Sequence, residues 1–209
     1  MKKIIVSAVI AAATLSASQA AVFNGASAGL TVGTLTSKFD NKVNSTKFNA
    51  SKTFGSYGIH FDYDRSSCNS FYWGLGLDFA VYSGKLSKTS TQLNLKSTAT
   101  YSWSSEFDVR LGYNFGNTVA VYGLTGLRLY DKTIKLFNAT TNAQVAKESK
   151  TRLAPTLGLG AKVKVSDKVS LGAEYRYAFE RKETSKAINV SVKSKQSSHA
   201  ALVKVSYHF

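Results

Sequence analysis

Cysteine and proline are nearly missing: 209 residues contain one of each. A single cysteine excludes a disulfide framework and a cysteine-based zinc site. Charge is sparse at 19 %, and acids are the rarer sign, with 12 against 27 Lys and Arg and a formal net charge of +15. That imbalance points to an anionic partner: nucleic acid, a membrane surface or lipopolysaccharide. Helical periodicity is hard to find past Ala21, and no second long apolar run follows the first, so helical membrane spans are not expected. Aromatic residues make up 12 %, which argues against disorder. The length suits one domain, or at most two.

The first apolar run has the build of an export signal. Lys2 and Lys3 precede the uncharged stretch from Ile4 to Leu15, and Ser18 and Ala20 are small residues at the positions a signal peptidase reads. Residues 1–20 are expected to be removed and 21–209 to form the mature domain. The run falls short of the roughly 18 residues that a spanning helix needs.

Residues alternate with period two throughout the mature chain. In 101–115, Tyr101, Trp103, Phe107, Val109, Leu111, Tyr113 and Phe115 share one parity, while Ser102, Ser104, Glu106, Asp108, Arg110, Gly112 and Asn114 share the other. A strand puts such sets on opposite faces. Segments 26–34, 54–64, 71–83, 119–130, 152–165, 169–180 and 196–209 follow the same rule, the fifth strand (119–130) least well because Leu124 falls on the face of Gly126 and Arg128. Connectors alternate too: 65–70, 116–118 and 166–168 are short, whereas 35–53, 84–99, 131–151 and 181–195 are long. The expected fold is all-β: an eight-stranded antiparallel up-and-down transmembrane β-barrel, with short periplasmic turns and long outer loops.

An eight-stranded barrel has an interior just wide enough for side chains to fill. The apolar face carries Trp73, Trp103 and most of the strand Phe and Tyr, while the other carries Gly58, Gly74, Gly76, Gly112, Gly158 and Gly160. The bulky face is therefore assigned to lipid. Aromatic girdles are expected at Phe71, Trp73, Tyr113, Phe115, Tyr207 and Phe209 on the periplasmic side. On the outer side they are expected at Tyr57, Tyr101, Trp103, Tyr177 and Phe179. The lumen then holds the acids Asp62, Asp64, Asp78, Glu106, Asp108, Glu174 and Glu180 and the bases Arg110, Arg128, Arg152, Lys162, Lys164, Arg176 and Lys204. Seven acids against seven bases suit an ion network that plugs the barrel, since buried charges need partners; a narrow pore or proton path is the alternative. If Phe115 faces Val119, Glu106 lies opposite Arg128 in the lumen, close enough for a charge-assisted hydrogen bond.

With its signal sequence, the Gly-spaced strand Phe71-Tyr-Trp-Gly-Leu-Gly-Leu-Asp-Phe79 and the ending Ala201-Leu-Val-Lys-Val-Ser-Tyr-His-Phe209, the chain resembles small outer-membrane β-barrels of the opacity-protein and OmpA-like transmembrane class. The resemblance covers nearly the whole mature chain. It implies an address in the outer membrane of a Gram-negative bacterium. It also implies that the ending, with Tyr207 and Phe209, is an assembly signal for the barrel-assembly machinery. The periplasmic peptidoglycan-binding domain of full-length OmpA-type proteins is not expected.

Nearly all excess charge falls in the long connectors, which carry +3, +3, +2 and +4 in chain order. The last includes a basic patch of Lys182, Lys186, Lys193 and Lys195. Such loops can meet lipopolysaccharide phosphates or a host or extracellular ligand. Nucleic acid fits poorly as a partner for exported loops that lack a recognition motif. No catalytic, cofactor or metal site is assigned. His199 with Ser197 or Ser198 could imitate a lipid A deacylase or palmitoyltransferase site, but no complete triad can be placed. Cys68 is expected as an incidental thiol in a periplasmic turn. The expected role is structural or surface-interacting, as an adhesin or surface antigen; the alternatives are a lipid A-modifying enzyme and a narrow channel.

Overall fold

The computed structural model describes residues 23–43, 46–66, 70–84, 86–90, 95–116, 118–138, 140–141, 143–180, 183–187 and 190–209. The expected leader and Cys68 lie outside these residues. The strands are β1 (Gly25–Val43), β2 (Thr46–Ser66), β3 (Phe71–Ser83), β4 (Leu86–Ser90), β5 (Leu95–Phe115), β6 (Val119–Asn138), β7 (Gln144–Lys164), β8 (Val169–Phe179), β9 (Glu183–Ala187) and β10 (Val190–His208). All pairings are antiparallel, and β1 closes on β10. β4 continues the line of β3, and β9 that of β8, so the wall has eight staves, as the alternation predicts.

Tracing paired residues from Gly25 through Asp64, Gly74, Arg110, Leu124, Gly158, Arg176 and Ala200 ends at Leu35, ten residues further along β1. Such a stagger goes with strands tilted by about 35–45° to the barrel axis. It lets inward side chains from distant strands meet at one level.

The barrel is inside out relative to a soluble protein. Leu159 is 70 % exposed, whereas Asp108 and Arg110 are fully buried. Along β6, Val121, Leu127 and Leu129 face outward, a run close to the 9–11 residues with which a tilted strand crosses a bilayer. Glycine makes close packing possible. A Cβ on Gly160 would stand 2.5 Å from the Tyr122 ring, and one on Gly112 would stand 2.0 Å from the Val121 carbonyl oxygen.

Two expectations change. Tyr101 points into the lumen and is buried, while Trp103 stays outside. Tyr101 pairs with Lys132 and Ser104 with Tyr130, so β5 spends an extra residue there and a bulge reverses its parity. The irregular strand is thus β5, whereas Leu124 in β6 simply faces inward in regular register. The second change is at the outer end, where the four long connectors are mostly strand. β1 and β2 pair out to Val43 and Thr46, β5 and β6 out to Leu95 and Asn138, and β6 and β7 out to Phe137 and Gln144.

Among the described residues, the ladder that closes the membrane-level wall is interrupted at the outer rim. β2 pairs with β3 only from Gly55 to Ser66, and β7 with β8 only from Thr156 to Lys164. Beyond those points the described pairings form two separate flaps, β9–β10–β1–β2 and β4–β5–β6–β7.

Candidate functional site

The lumen is filled in three layers. Toward the short turns, Phe23, Tyr72, Ala120, Tyr122 and Leu124 pack together. Toward the rim, Leu35, Phe54, Tyr101, Tyr130, Ala154, Ala178 and Ala200 do the same. Between them lies a charged layer. Large rings do therefore fit inside, contrary to the premise that bulk belongs to lipid. Parity marks two of them: Tyr72 shares the face of Gly74 and Gly76, and Tyr122 that of Gly126 and Arg128.

Ten of the expected luminal charges interlock. Lys162 Nζ reaches Asp62 at 3.1 Å and Asp64 at 2.6 Å. Arg110 bridges Asp62 at 2.8 Å and Asp108 at 2.7 Å, and approaches Glu174 at 3.8 Å. Arg176 reaches Asp78 at 2.8 Å, Glu106 at 3.1 Å and Asp108 at 3.2 Å, and also grips Glu174. Lys204 joins Asp78 at 2.8 Å to Glu174 at 3.4 Å. Six acids thus share four bases, and neutral donors help to satisfy them. Tyr72 donates to Asp64 at 2.5 Å, Tyr122 to Glu174 at 2.8 Å and Thr156 to Glu106 at 2.8 Å.

Arg128 donates to the Tyr82 hydroxyl and lies over that ring, and Glu180 accepts from Tyr130 at 3.0 Å. Arg152 and Lys164 are half-buried toward opposite ends of the lumen. Glu106 and Arg128 are directly opposite in register, yet Glu106 turns to Arg176 and Thr156, and Arg128 to Tyr82. A cavity of about 30 Å³ beside Asp78, Glu106, Arg128 and Arg176 has room for one or two waters.

Two Ser–His contacts occur inside the barrel. His60, fully buried, holds Ser206 at 2.8 Å on Nε2 and Thr31 at 2.9 Å on Nδ1. His208 Nε2 lies 2.8 Å from Ser170. The second nitrogen of His60 thus meets a hydroxyl, not the orienting carboxylate of a triad. His199 Nδ1 contacts the Tyr175 hydroxyl at 2.7 Å, and the buried Ser198 and the less buried Ser197 flank it on opposite faces of β10. Among the described residues, no three His, Cys, Asp or Glu side chains are grouped to hold a metal ion.

At the rim, lysines become cross-strand neighbours, within one connector and, for Lys42 and Lys193, between two. Lys42 in β1 is opposite both Lys47 in β2 and Lys193 in β10. Lys132 and Lys135 in β6 are opposite Lys150 and Lys147 in β7. Lys195 is opposite Asp40, and Lys186 is opposite Ser191; Lys182 lies outside the described residues. Lys186, Lys193 and Lys195 of the patch are thereby spread over two strands, and Lys42, opposite Lys193, comes from another connector. That adjacency needed the pairing register to be seen.

At the opposite end, Tyr207 and Phe209 face outward with ring centres 5.6 Å apart, and the Phe209 amide donates to the Ala26 carbonyl at 3.1 Å. Phe209 is 82 % exposed.

Comparison with known proteins yields a match over residues 5–209 to the family described as outer membrane protein beta-barrel domain. The chain is 27 % identical over 157 residues to the 31 kDa outer-membrane immunogenic protein of Brucella melitensis; the aligned stretch covers 73 % of this chain and 65 % of that protein, just under two thirds of the relative's length. Similar solved structures include Ail of Yersinia pestis in complex with the heparin analogue sucrose octasulfate. It has 16 % identity and a TM-score of 0.46, with 88 % of this chain and 99 % of that one covered. The N-terminal β-barrel domain of Pseudomonas aeruginosa OprF has 13 % identity and a TM-score of 0.44, with 85 % and 97 % covered.

Proposed function

The chain belongs to the outer membrane protein beta-barrel domain family, and from that premise we propose that it is a plugged, non-catalytic barrel whose basic rim makes its contacts at the cell surface. Its location is the outer membrane of a Gram-negative bacterium, where its wall contacts lipid. The ion network is a structural plug: it ties six strands (β2, β3, β5, β7, β8 and β10) through Asp62, Asp78, Glu106, Lys162, Arg176 and Lys204. Layers of rings above and below it leave conduction and luminal chemistry without support.

One observation carries the rim's role: lysines stand directly opposite lysines. Like charges in that position destabilise a sheet, and anions lodged against the rim relieve them. Lipopolysaccharide phosphates supply such anions at this level of the membrane, and an anionic host ligand would suit the same rim. Surface antigenicity, which the name of the Brucella relative records for that protein, fits the same exposed strands.

Titrating the bilayer-reconstituted barrel with lipopolysaccharide tests this reading. Affinity is expected to fall as salt rises, because the Debye length is only about 10 Å at 0.1 M. Replacing Lys42, Lys47 and Lys193 with Ser should weaken binding more than replacing Lys182, Lys186 and Lys195. Salt-independent binding, or equal effects of the two triple variants, would refute the reading.

We also assign Tyr207 and Phe209 as the signal read by the barrel-assembly machinery. Phe209→Ser should lower the outer-membrane yield of folded barrel and raise periplasmic breakdown products, both read by heat-modifiability on gels. An unchanged yield would remove the assignment.

A further inference from the structure

We infer that the lipid-facing wall carries a docking site for one lipid A molecule, with an acyl chain in a dent over Gly123 and Thr125 and a phosphate at His199 and Lys38. On the outward face of β6, Gly123 and Thr125 are small residues between the exposed Val121 and Leu127. Val109 and Leu111 of β5 stand opposite them on one side, and Leu157 and Leu159 of β7 on the other. The result is an open depression of about 600 Å³ in the wall. Backbone packing does not call for this glycine: a Cβ on Gly123 would meet only the Leu111 carbonyl oxygen, at 3.9 Å. Gly112, where an added methyl drives into β6, is the opposite case.

The ladder leads from this dent to a polar end. Tyr175 and Tyr177 of β8, opposite Leu159 and Leu157, also line the depression. Tyr177 is opposite His199, and His199 is opposite Thr36 of β1. Strands about 4.8 Å apart and tilted by about 35–45° make each such step rise about 3 Å toward the outside, so His199 stands about 9 Å above the dent. That drop fits one leaflet of a hydrocarbon core about 30 Å thick. His199 Nδ1 lies 2.7 Å from the Tyr175 hydroxyl, and its ring meets Tyr177 with centres 4.9 Å apart. A hydroxyl that donates to Nδ1 leaves the proton on Nε2, which is then a donor for an oxyanion. Lys38, exposed two residues beyond Thr36, adds a positive charge that acts on the His199 ring. A lipid with a phosphate head and long chains matches both ends, and lipid A is that lipid in the leaflet this end of the barrel meets. Hydrocarbon offers no hydrophobic drive toward the wall, so close van der Waals fit in a shaped dent is what favours one chain over its neighbours.

The site rests on the lipopolysaccharide reading of the rim and adds an acyl subsite below it. Native mass spectrometry of the full barrel in detergent counts the lipid it retains. Three probes are used: lipid A, phosphatidylglycerol, and fully deacylated lipopolysaccharide, which keeps its phosphates but has no chains.

Lipid A is expected to be retained in preference to phosphatidylglycerol. Gly123→Leu combined with Thr125→Leu fills the dent and should lower lipid A retention about fivefold, the effect of losing roughly ten dispersion contacts, while binding of the deacylated form stays unchanged. Gly123→Val alone, at a position with room for a side chain, repeats the test should the double variant fail to fold. Lys38→Ser combined with His199→Ala should lower lipid A retention about tenfold through lost charge-assisted hydrogen bonds. Unchanged lipid A retention on filling the dent overturns the site and leaves the rim reading standing. Equal retention of phosphatidylglycerol overturns lipid A as the occupant. Binding of the deacylated form that survives Lys42→Ser, Lys47→Ser and Lys193→Ser together sinks the rim reading, while a loss of lipid A on filling the dent would still uphold the acyl subsite.

Discussion

β6 passes through two solvents, and its two halves obey different rules. Between Val119 and Tyr130 its inward residues include Ala120, Tyr122, Leu124 and Arg128, and its outward ones Val121, Leu127 and Leu129. From Asp131 to Asn138 it is still a strand, and there Lys132 and Lys135 stand opposite Lys150 and Lys147 of β7. The difference recurs around the barrel. At membrane level every stave has two neighbours, whereas at the rim the pairings among the described residues fall into two flaps. Hydrocarbon cannot satisfy a bare backbone amide, so closure is compulsory there. Water can, so the rim tolerates an interrupted ladder and lysines set opposite lysines. The embedded half is thus built for integrity, and the rim is free to serve contact.

Breaking the plug tests that division most severely. Arg176→Ala leaves the carboxylates of Asp78, Glu106, Asp108 and Glu174 short of a shared cation, and removing one partner of a buried pair costs about 3–5 kcal/mol. Lys42→Ser at the rim should change stability by no more than about 0.5 kcal/mol. Urea unfolding of both variants in lipid vesicles measures the contrast; similar losses would erase the distinction.

A smaller effect sharpens the comparison within the embedded half. Gly112→Ala drives a methyl into the backbone of β6, and overpacking of that kind costs about 1–3 kcal/mol. Gly172→Ala is expected to be tolerated, because its added Cβ meets only ordinary contacts at 3.6 Å. The same unfolding assay ranks the pair, and the reverse order would contradict the packing described.

The smallest effect separates register from contact. Glu106 is opposite Arg128 but paired with Arg176. A double-mutant cycle for Glu106 and Arg176 should show coupling of about 1–3 kcal/mol, and one for Glu106 and Arg128 about 0.5 kcal/mol or less. Stronger coupling to Arg128 would mean that the side chains follow the ladder.

Legibility followed the solvent boundary. Within the membrane, alternation indicated the staves, the lipid-facing set and the Glu106–Arg128 register, because lipid and a polar lumen impose opposite demands on successive residues. It failed at Tyr101, where a bulge adds one residue and no composition signal announces it. It also failed beyond Tyr130 and Leu35, where runs rich in Thr, Ser and Lys that read as loop form strand.

Residue order by itself determined that this chain would be an eight-stave barrel with apolar residues outward and charges inward, since period two and the short turns leave little else for a strand to do in a bilayer. Tertiary structure alone decided which charges meet. The ten-residue stagger carries Lys162 to Asp62 and Arg176 to Asp78, partners far apart in sequence. The same register set Lys42 between Lys47 and Lys193. Such meetings depend on tilt and closure, which are properties of the whole wall and of no single strand.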